Sequence, residues 1–155
     1  MSIMVPLDTS EVSRSALPVA ARLAEALGED LLLLTVADWG TQHEVSELAR
    51  VEGIEPIDAL DANLRGQAAL HPGVTSKTDL MPGEDPASAI VDRAEEGDIS
   101  MIVIATHGRK GVSRWRLGSV TERVVRVATV PVLVVPAPWR VTQEASAGKS
   151  ADGAV

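Results

Sequence analysis

The amino-acid sequence predicts an α/β domain whose parallel sheet is covered by helices on both faces. Three observations carry this. Short apolar runs alternate with stretches of helical periodicity in the order β-α-β-α-β-α-β-α-β, which calls for crossover connections between parallel strands. Two runs, Leu31-Leu32-Leu33-Leu34 and Met101-Ile102-Val103-Ile104, are continuous rather than alternating, as expected of strands buried on both sides. The second leads into a glycine-rich basic segment, Ala105 to Val120, that ends where another helix begins. In such sheets ligands bind beyond the carboxyl ends of the strands.

The elements follow in order. Ile3 to Leu7 is a short strand, cut by Pro6 and ending at Asp8. Ser10 caps a helix, with Glu11 in its first turn. Val12, Ala16, Val19, Ala20, Leu23, Ala24 and Leu27 fall on one face, Pro18 bends the helix, and Gly28 closes it. Asp30 to Ala37 is a buried strand. Trp39 to Glu55 reads ambiguously: Val45, Leu48 and Ala49 suggest a short helix, interrupted by Gly53 and Pro56. Pro56 starts a second helix with Ile57, Leu60, Leu64 and Ala68 inward, ended by His71-Pro72-Gly73. Val74 to Met81, polar on one face, belongs near a sheet edge. Asp85 and Pro86 open a helix whose apolar side is Ala87, Ile90, Val91 and Ala94, ended by Gly97. Met101 to Ala105 is the fourth strand. A helix from about Ser119 turns Val120, Val124 and Val127 inward. Val130 to Val135, bracketed by Pro131 and Pro136, is the last strand. From Ala137 the chain is rich in Ala, Ser, Gly and charge without periodicity, and reads as a disordered tail. Residues 1–136 are therefore the domain and 137–155 the tail.

Composition narrows the function. A chain of 155 residues suits one domain with a real core. Without cysteine there is no disulfide framework or thiol chemistry. His43, His71 and His107 form no metal-binding pattern. The net charge of −8 argues against nucleic acid as a partner, and Trp39, Trp115 and Trp139 are too scattered to make a base-stacking platform. No run is long enough to span a membrane, and the N-terminus has no basic start followed by a long apolar stretch, so the expected residence is cytoplasmic.

Against that acidic background the window from Arg109 to Arg126 carries six cations (Arg109, Lys110, Arg114, Arg116, Arg123 and Arg126) and one anion, Glu122. Glycines, cations and a helix start after a strand together make an anion site, and phosphate is the expected anion. Neither a Walker A loop nor a Rossmann fingerprint is present. Gly108 lets backbone amides approach the anion. Gly118 removes a side chain where phosphates cross, and Ser119 offers a hydroxyl, a helix cap and the helix N-terminus. Asp8, Trp39 and Thr106 to Arg109 all follow strands and are candidates for one crevice. Asp8 has a second reading, as a cap for the helix at Ser10. The four cations from Arg109 to Arg116 form either a solvated loop or phosphate contacts. His107 reads as a turn residue rather than a base, and Glu122 with Arg126 as a surface i,i+4 pair.

Here the chain resembles the universal stress protein family. Its nucleotide-binding branch carries G-x2-G-x9-G-[ST] after the fourth strand. This sequence has Ala105-Thr106-His107-Gly108, nine residues, then Gly118-Ser119, with Ala105 in place of the first glycine. The opening VPLDTSEVSRSALPVAARLAEALGEDLLLLTVAD and the ending GSVTERVVRVATVPVLVV are also similar to the family. The resemblance implies a flavodoxin-like, Rossmann-like three-layer sandwich with a five-stranded parallel sheet of order 3-2-1-4-5 that binds ATP. By position, Pro6, Asp8 and Val36 would contact adenine and ribose, with Leu7 beside them. Gly108 would approach ribose and phosphates, flanked by Ala105, Thr106 and Arg109. Gly118, Ser119 and Val120 would hold the phosphates, with Mg²⁺ on them near Ser119 and no side-chain metal ligand assigned. The family's strand order puts apolar Val130 to Val135 at a sheet edge, which implies a homodimer through that strand.

The implied function is that of an ATP-binding stress-response sensor or regulatory module, read by a protein partner the sequence does not identify. Hydrolysis needs a base to position water, and none is evident. Two alternatives stay open: a nucleotide-free dimeric interaction protein, and a slow ATPase or nucleotide-processing enzyme on the same fold.

Overall fold

A computed structural model describes residues 1–107 and 117–137. Five strands, β1 (Ser2–Pro6), β2 (Asp30–Ala37), β3 (Ser76–Pro82), β4 (Ile99–His107) and β5 (Val132–Ala137), form one sheet of order β3-β2-β1-β4-β5. Every neighbouring pair is parallel. This is the doubly wound order that the family resemblance implies. The helices are α1 (Glu11–Arg14), α2 (Leu17–Leu27), α3 (Trp39–Glu52), α4 (Pro56–Ala69), α5 (Pro86–Ala94) and α6 (Ser119–Val127).

The sheet separates two apolar layers. On one face Ile3, Val5, Leu31, Leu33, Val103 and Ala105 pack with Ala16, Leu17, Ala20 and Ala24 of the first helical stretch and with Leu64 of α4. On the other, Met4, Leu32, Leu34, Ile102 and Ile104 pack with Ala87, Ile90 and Ala94 of α5 and with Val124 of α6. The alanine row at 16, 20 and 24 is fully buried. Small side chains there bring the helix close to the sheet, which is how a core without Phe or Tyr closes its layers. Ile99 and Met101 are both odd-numbered, yet they face opposite layers. A register irregularity between Ser2 and Ile3 on β1 places Ser100 as the extra residue of β4. Its hydroxyl reaches the Ser2 carbonyl at 3.3 Å and the Glu29 carboxylate.

The helical stretch after β1 is two helices, not one bent helix. Ser10 caps α1, its Oγ accepting from the Ser13 amide at 3.2 Å. The chain breaks at Ser15 and Ala16, and Pro18 then sits in the first turn of α2. There its missing N–H has no intrahelical acceptor to lose, so the proline starts a helix rather than bending one. The ambiguous stretch resolves into α3. Asp38 caps it, accepting from the Thr41 amide at 2.7 Å, and Gly53 ends it at φ 71°. Leu27, Ile57 and Val127, expected inward, are 57%, 43% and 53% exposed; each lies at or next to a helix end. The last strand is shifted two residues from its expected span, and Ala137, assigned to the tail, is buried in it. Residues 138–155 lie outside the described residues.

Arg93 of α5 ties the lower edge together. Its Nε donates to Asp79 of edge strand β3 at 2.9 Å, and its fork reaches both oxygens of Asp98, just before β4, at 2.8 and 3.2 Å. The Arg93 side chain is 10% exposed. Its hydrogen bonds hold the Asp98 carboxyl below the usual carboxylate range. Both aspartates keep partial access to water, at 35% and 56% exposure, so solvent absorbs part of any loss. Arg93→Met is expected to cost about 1–2 kcal/mol at pH 7 in urea unfolding. Because the folded-state pKa of Asp98 is depressed, the stabilisation is present at neutral pH and lost as pH falls through the carboxylate range. The gap between variant and parent should therefore narrow in acid.

Candidate functional site

β1 and β4 are adjacent, but their chains leave the sheet on opposite faces, β1 into α1 and α2 and β4 toward α6. The gap between their carboxyl ends is the topological switch point, where open α/β sheets bind ligands. Two adjoining hollows occupy it.

The first, about 200 Å³, is lined by Pro6, Leu7 and Asp8 after β1, Leu34 and Val36 of β2, Asp38 and Thr41 at the start of α3, Pro86 and Ile90 of α5, Ile104 and Ala105 of β4, and Val120 and Thr121 of α6. Its walls are apolar side chains of β1, β2, β4 and α5, and Asp8, Ser13, Asp38, Thr41 and Thr121 bring polar groups in nearly equal measure, a mixture that suits a ring with polar edges. The second, about 180 Å³, shares Asp8, Ser13, Ala105, Val120 and Thr121 with the first and adds Ser10, Val12, Thr106, Gly118 and Ser119.

Local chemistry explains these positions. Asp8 closes a tight turn: its Oδ1 accepts from the Ser10 amide at 2.8 Å and from the Ser10 hydroxyl at 2.5 Å, and its own amide donates to Ser13 Oγ at 3.2 Å. The helix cap is Ser10 rather than Asp8, which instead holds the turn leading into the cap and lines the crevice. Ala105 lies in β4, paired with Val135. Strand backbone accepts any L residue, so alanine there needs no left-handed conformation. Gly83 approaches the slot from outside: a Cβ on it would come within 3.2 Å of Val36 Cγ1.

Gly118 is the N-cap of α6 at φ −60°, ψ 154°, with no side chain to cap the helix. Ser119, expected as the cap, is instead the first helical residue and is exposed. Beyond that cap the amides of the first turn have no carbonyl to bond within the helix. They border the second hollow, where the helix dipole adds positive potential.

The sequence-derived residues Pro6, Leu7, Asp8, Val36, Ala105, Thr106, Gly118, Ser119 and Val120 are thus brought to one place. Gly108 and Arg109 lie outside the described residues, as do Lys110, Arg114, Trp115 and Arg116. Trp39 does not line either hollow. It is 79% exposed and stacks on His43 with centroids 5.1 Å apart, and Asp38 and Thr41 take its place in the crevice. Arg123 and Arg126 are committed elsewhere, to Asp85 at 2.6 Å and Glu122 at 2.8 Å. The Asp85 carboxyl is held below its usual range, first by the Ser88 hydroxyl and then by Arg123. That ion pair joins the start of α5 to α6.

The universal stress protein family model matches residues 1–136. The chain belongs to the universal stress protein family. It is 34% identical over 145 residues to the universal stress protein MJ0531 of Methanocaldococcus jannaschii, covering 88% of this chain and 82% of that one. Among solved structures, MJ0577 of the same archaeon matches with a TM-score of 0.64 at 26% identity, over 87% of this chain and 94% of its own. A universal stress protein solved in complex with cAMP shares the fold at 23% identity and a TM-score of 0.64, covering 88% and 96%. Among the described residues no helix is long and apolar enough to cross a membrane, and no group of three or more metal-binding side chains occurs.

Sequence reasoning missed Ser13, Asp38, Thr41 and Thr121. Asp38 was within reach, since an aspartate between a strand and a helical stretch is a cap signal.

Two substitutions test this geometry apart from any ligand. Among the described residues a Cβ on Gly118 meets nothing within 4 Å, and its φ is negative. Gly118→Val is therefore expected to fold, losing no more than about 1 kcal/mol for a poorer cap. Ser119→Ala, no longer removing a cap, should change stability by less than about 0.5 kcal/mol. Circular dichroism and thermal melts check both.

Proposed function

We propose that the crevice binds an adenine nucleotide, ATP first among them, and that the chain acts as a cytoplasmic stress-response sensor whose bound state a protein partner reads. The observation that carries this reading is the continuity of the two hollows. A slot with apolar walls and polar groups, suited to a base, opens directly onto a helix start that lacks a capping side chain. A ligand with a flat ring at one end and an anion at the other matches both ends at once. In this reading Pro6, Leu7, Asp8 and Val36 meet adenine and ribose, Ala105, Thr106, Gly108 and Arg109 approach the ribose and phosphates, and Gly118, Ser119 and Val120 meet the phosphates. The Asp8 carboxylate lines both hollows, so a polyphosphate would sit beside a fixed negative charge. A divalent cation such as Mg²⁺ on the phosphates, near Ser119, relieves that repulsion.

Denaturing the purified protein and separating the released small molecules should yield ATP or another adenine nucleotide. Titration calorimetry should show ATP affinity that falls when Mg²⁺ is chelated and weakens as salt rises from low concentration to beyond 0.1 M, where exposed charges are screened within about 10 Å. Gly118→Val, folded, should lose ATP binding because a branched side chain occupies the approach to the helix start. A folded Gly118→Val protein that binds ATP like its parent would refute the phosphate assignment.

The edge strand supports a second part of the reading, a homodimer through β5. Among the described strands β5 pairs only with β4. Leu133 on it is 37% exposed, and Val125 and Val127 of α6 are 43% and 53% exposed. A second copy would cover the open strand edge. Light scattering at micromolar concentration should give a dimer, and Leu133→Lys should shift it toward monomer. Dimerisation without any bound nucleotide would instead favour a purely interacting protein.

A further inference from the structure

Two threonine hydroxyls join the end of β4 to the start of α6. The Gly118 amide donates to Thr106 Oγ1 at 3.2 Å, and Thr121 Oγ1 donates to the Ala105 carbonyl at 3.1 Å. Both threonines are buried, at 7% and 4% exposure. A helix start ordinarily turns its own side chains onto its first amides. Here the opposite holds. The cap residue is a glycine with nothing to offer, and of the two first-turn hydroxyls that of Thr121 is aimed back at the strand. Thr106 takes up the amide of Gly118 itself and thereby fixes the peptide that leads into the helix. The amides of Ser119, Val120 and Thr121 follow it, with neither an intrahelical acceptor nor a cap, along the hollow that Thr106 also lines.

We infer that Thr106 is a positioning residue for the phosphates of the ligand. It acts through Gly118: its hydroxyl oxygen orients the Gly118 amide, and with it the direction in which the next three amides point. The inference rests on the nucleotide reading above and deepens it, because it separates recognition of the phosphates from recognition of the base. Orientation of this kind strengthens a ligand only where the ligand carries the anion. A residue that merely stabilises β4 would affect ligands with and without phosphate alike.

Thr106→Val keeps the branched shape that suits the strand and removes the acceptor. Thr106→Ser keeps the acceptor. Thr106→Ala serves as the second acceptor-free variant should valine disturb folding, which circular dichroism reports. Each is titrated calorimetrically with ATP and with adenosine, both with Mg²⁺ present. The parent is expected to bind ATP more tightly than adenosine. Thr106→Val and Thr106→Ala should lose about three- to tenfold more in ATP affinity than in adenosine affinity, the scale of one hydrogen bond. Thr106→Ser should restore the parent's preference. If the acceptor-free variants keep that preference, or lose ATP and adenosine equally, the positioning role is overturned while nucleotide binding stands. If the parent binds neither ligand, the nucleotide reading falls and this inference falls with it.

Discussion

The crevice exists because two hydrogen-bonded neighbours, β1 and β4, send the chain to opposite sides of the sheet. Successive crossovers on one face build β1, β2 and β3 in one direction; the return to β4 must use the other face. No helix can then lie across the gap at the carboxyl ends of β1 and β4. The ends of three strands and the starts of α3, α5 and α6 converge there, bringing different kinds of group. β1 brings a turn with a carboxylate, β2 an apolar wall, β4 a threonine and a small residue, and α6 a row of backbone donors. This convergence follows from sheet order alone, before any side chain is specified.

Much of that frame was legible in the residues. Continuous apolar runs placed β2 and β4, and glycines at 28 and 53 stood where helices end in the left-handed conformation. Pro56 and Pro86 stood where helices begin. What could not be read had local causes. The apolar spacing from Val12 to Leu23 runs unbroken through Ser15 and Ala16, so periodicity alone could not show that two helices share it. The extra residue at Ser100 is invisible because Ile-Ser-Met reads as plain alternation, and only pairing with β1 reveals the shift. Around the crevice, glycine and charge patterns pointed to the start of α6, whereas Ser13, Thr41 and Thr121 were missed. Their roles depend on which chain segments meet, and single hydroxyl residues carry no periodic signal.

Charge offers a parallel lesson. A basic window in an acidic chain drew attention to the start of α6, but the two described arginines within it serve the scaffold. Arg123 joins α5 to α6, and Arg126 pairs with Glu122 on the helix surface. Close to the crevice, the positive potential among the described residues comes from oriented peptide groups rather than from side-chain cations. Such dipoles are fixed by the fold and need no reorganisation when an anion arrives.

The two threonine ties flanking α6 have an evolutionary side. They secure β4 to α6 at the boundaries of the segment between residues 107 and 117, independently of what that segment contains. With the anchor points held, loop-closure entropy grows only logarithmically, by about 0.6 kcal/mol for each doubling of length. Mutation can therefore rewrite or extend this stretch at little thermodynamic cost to the sheet. A single scaffold can in this way carry different sequences between β4 and α6 while folding alike.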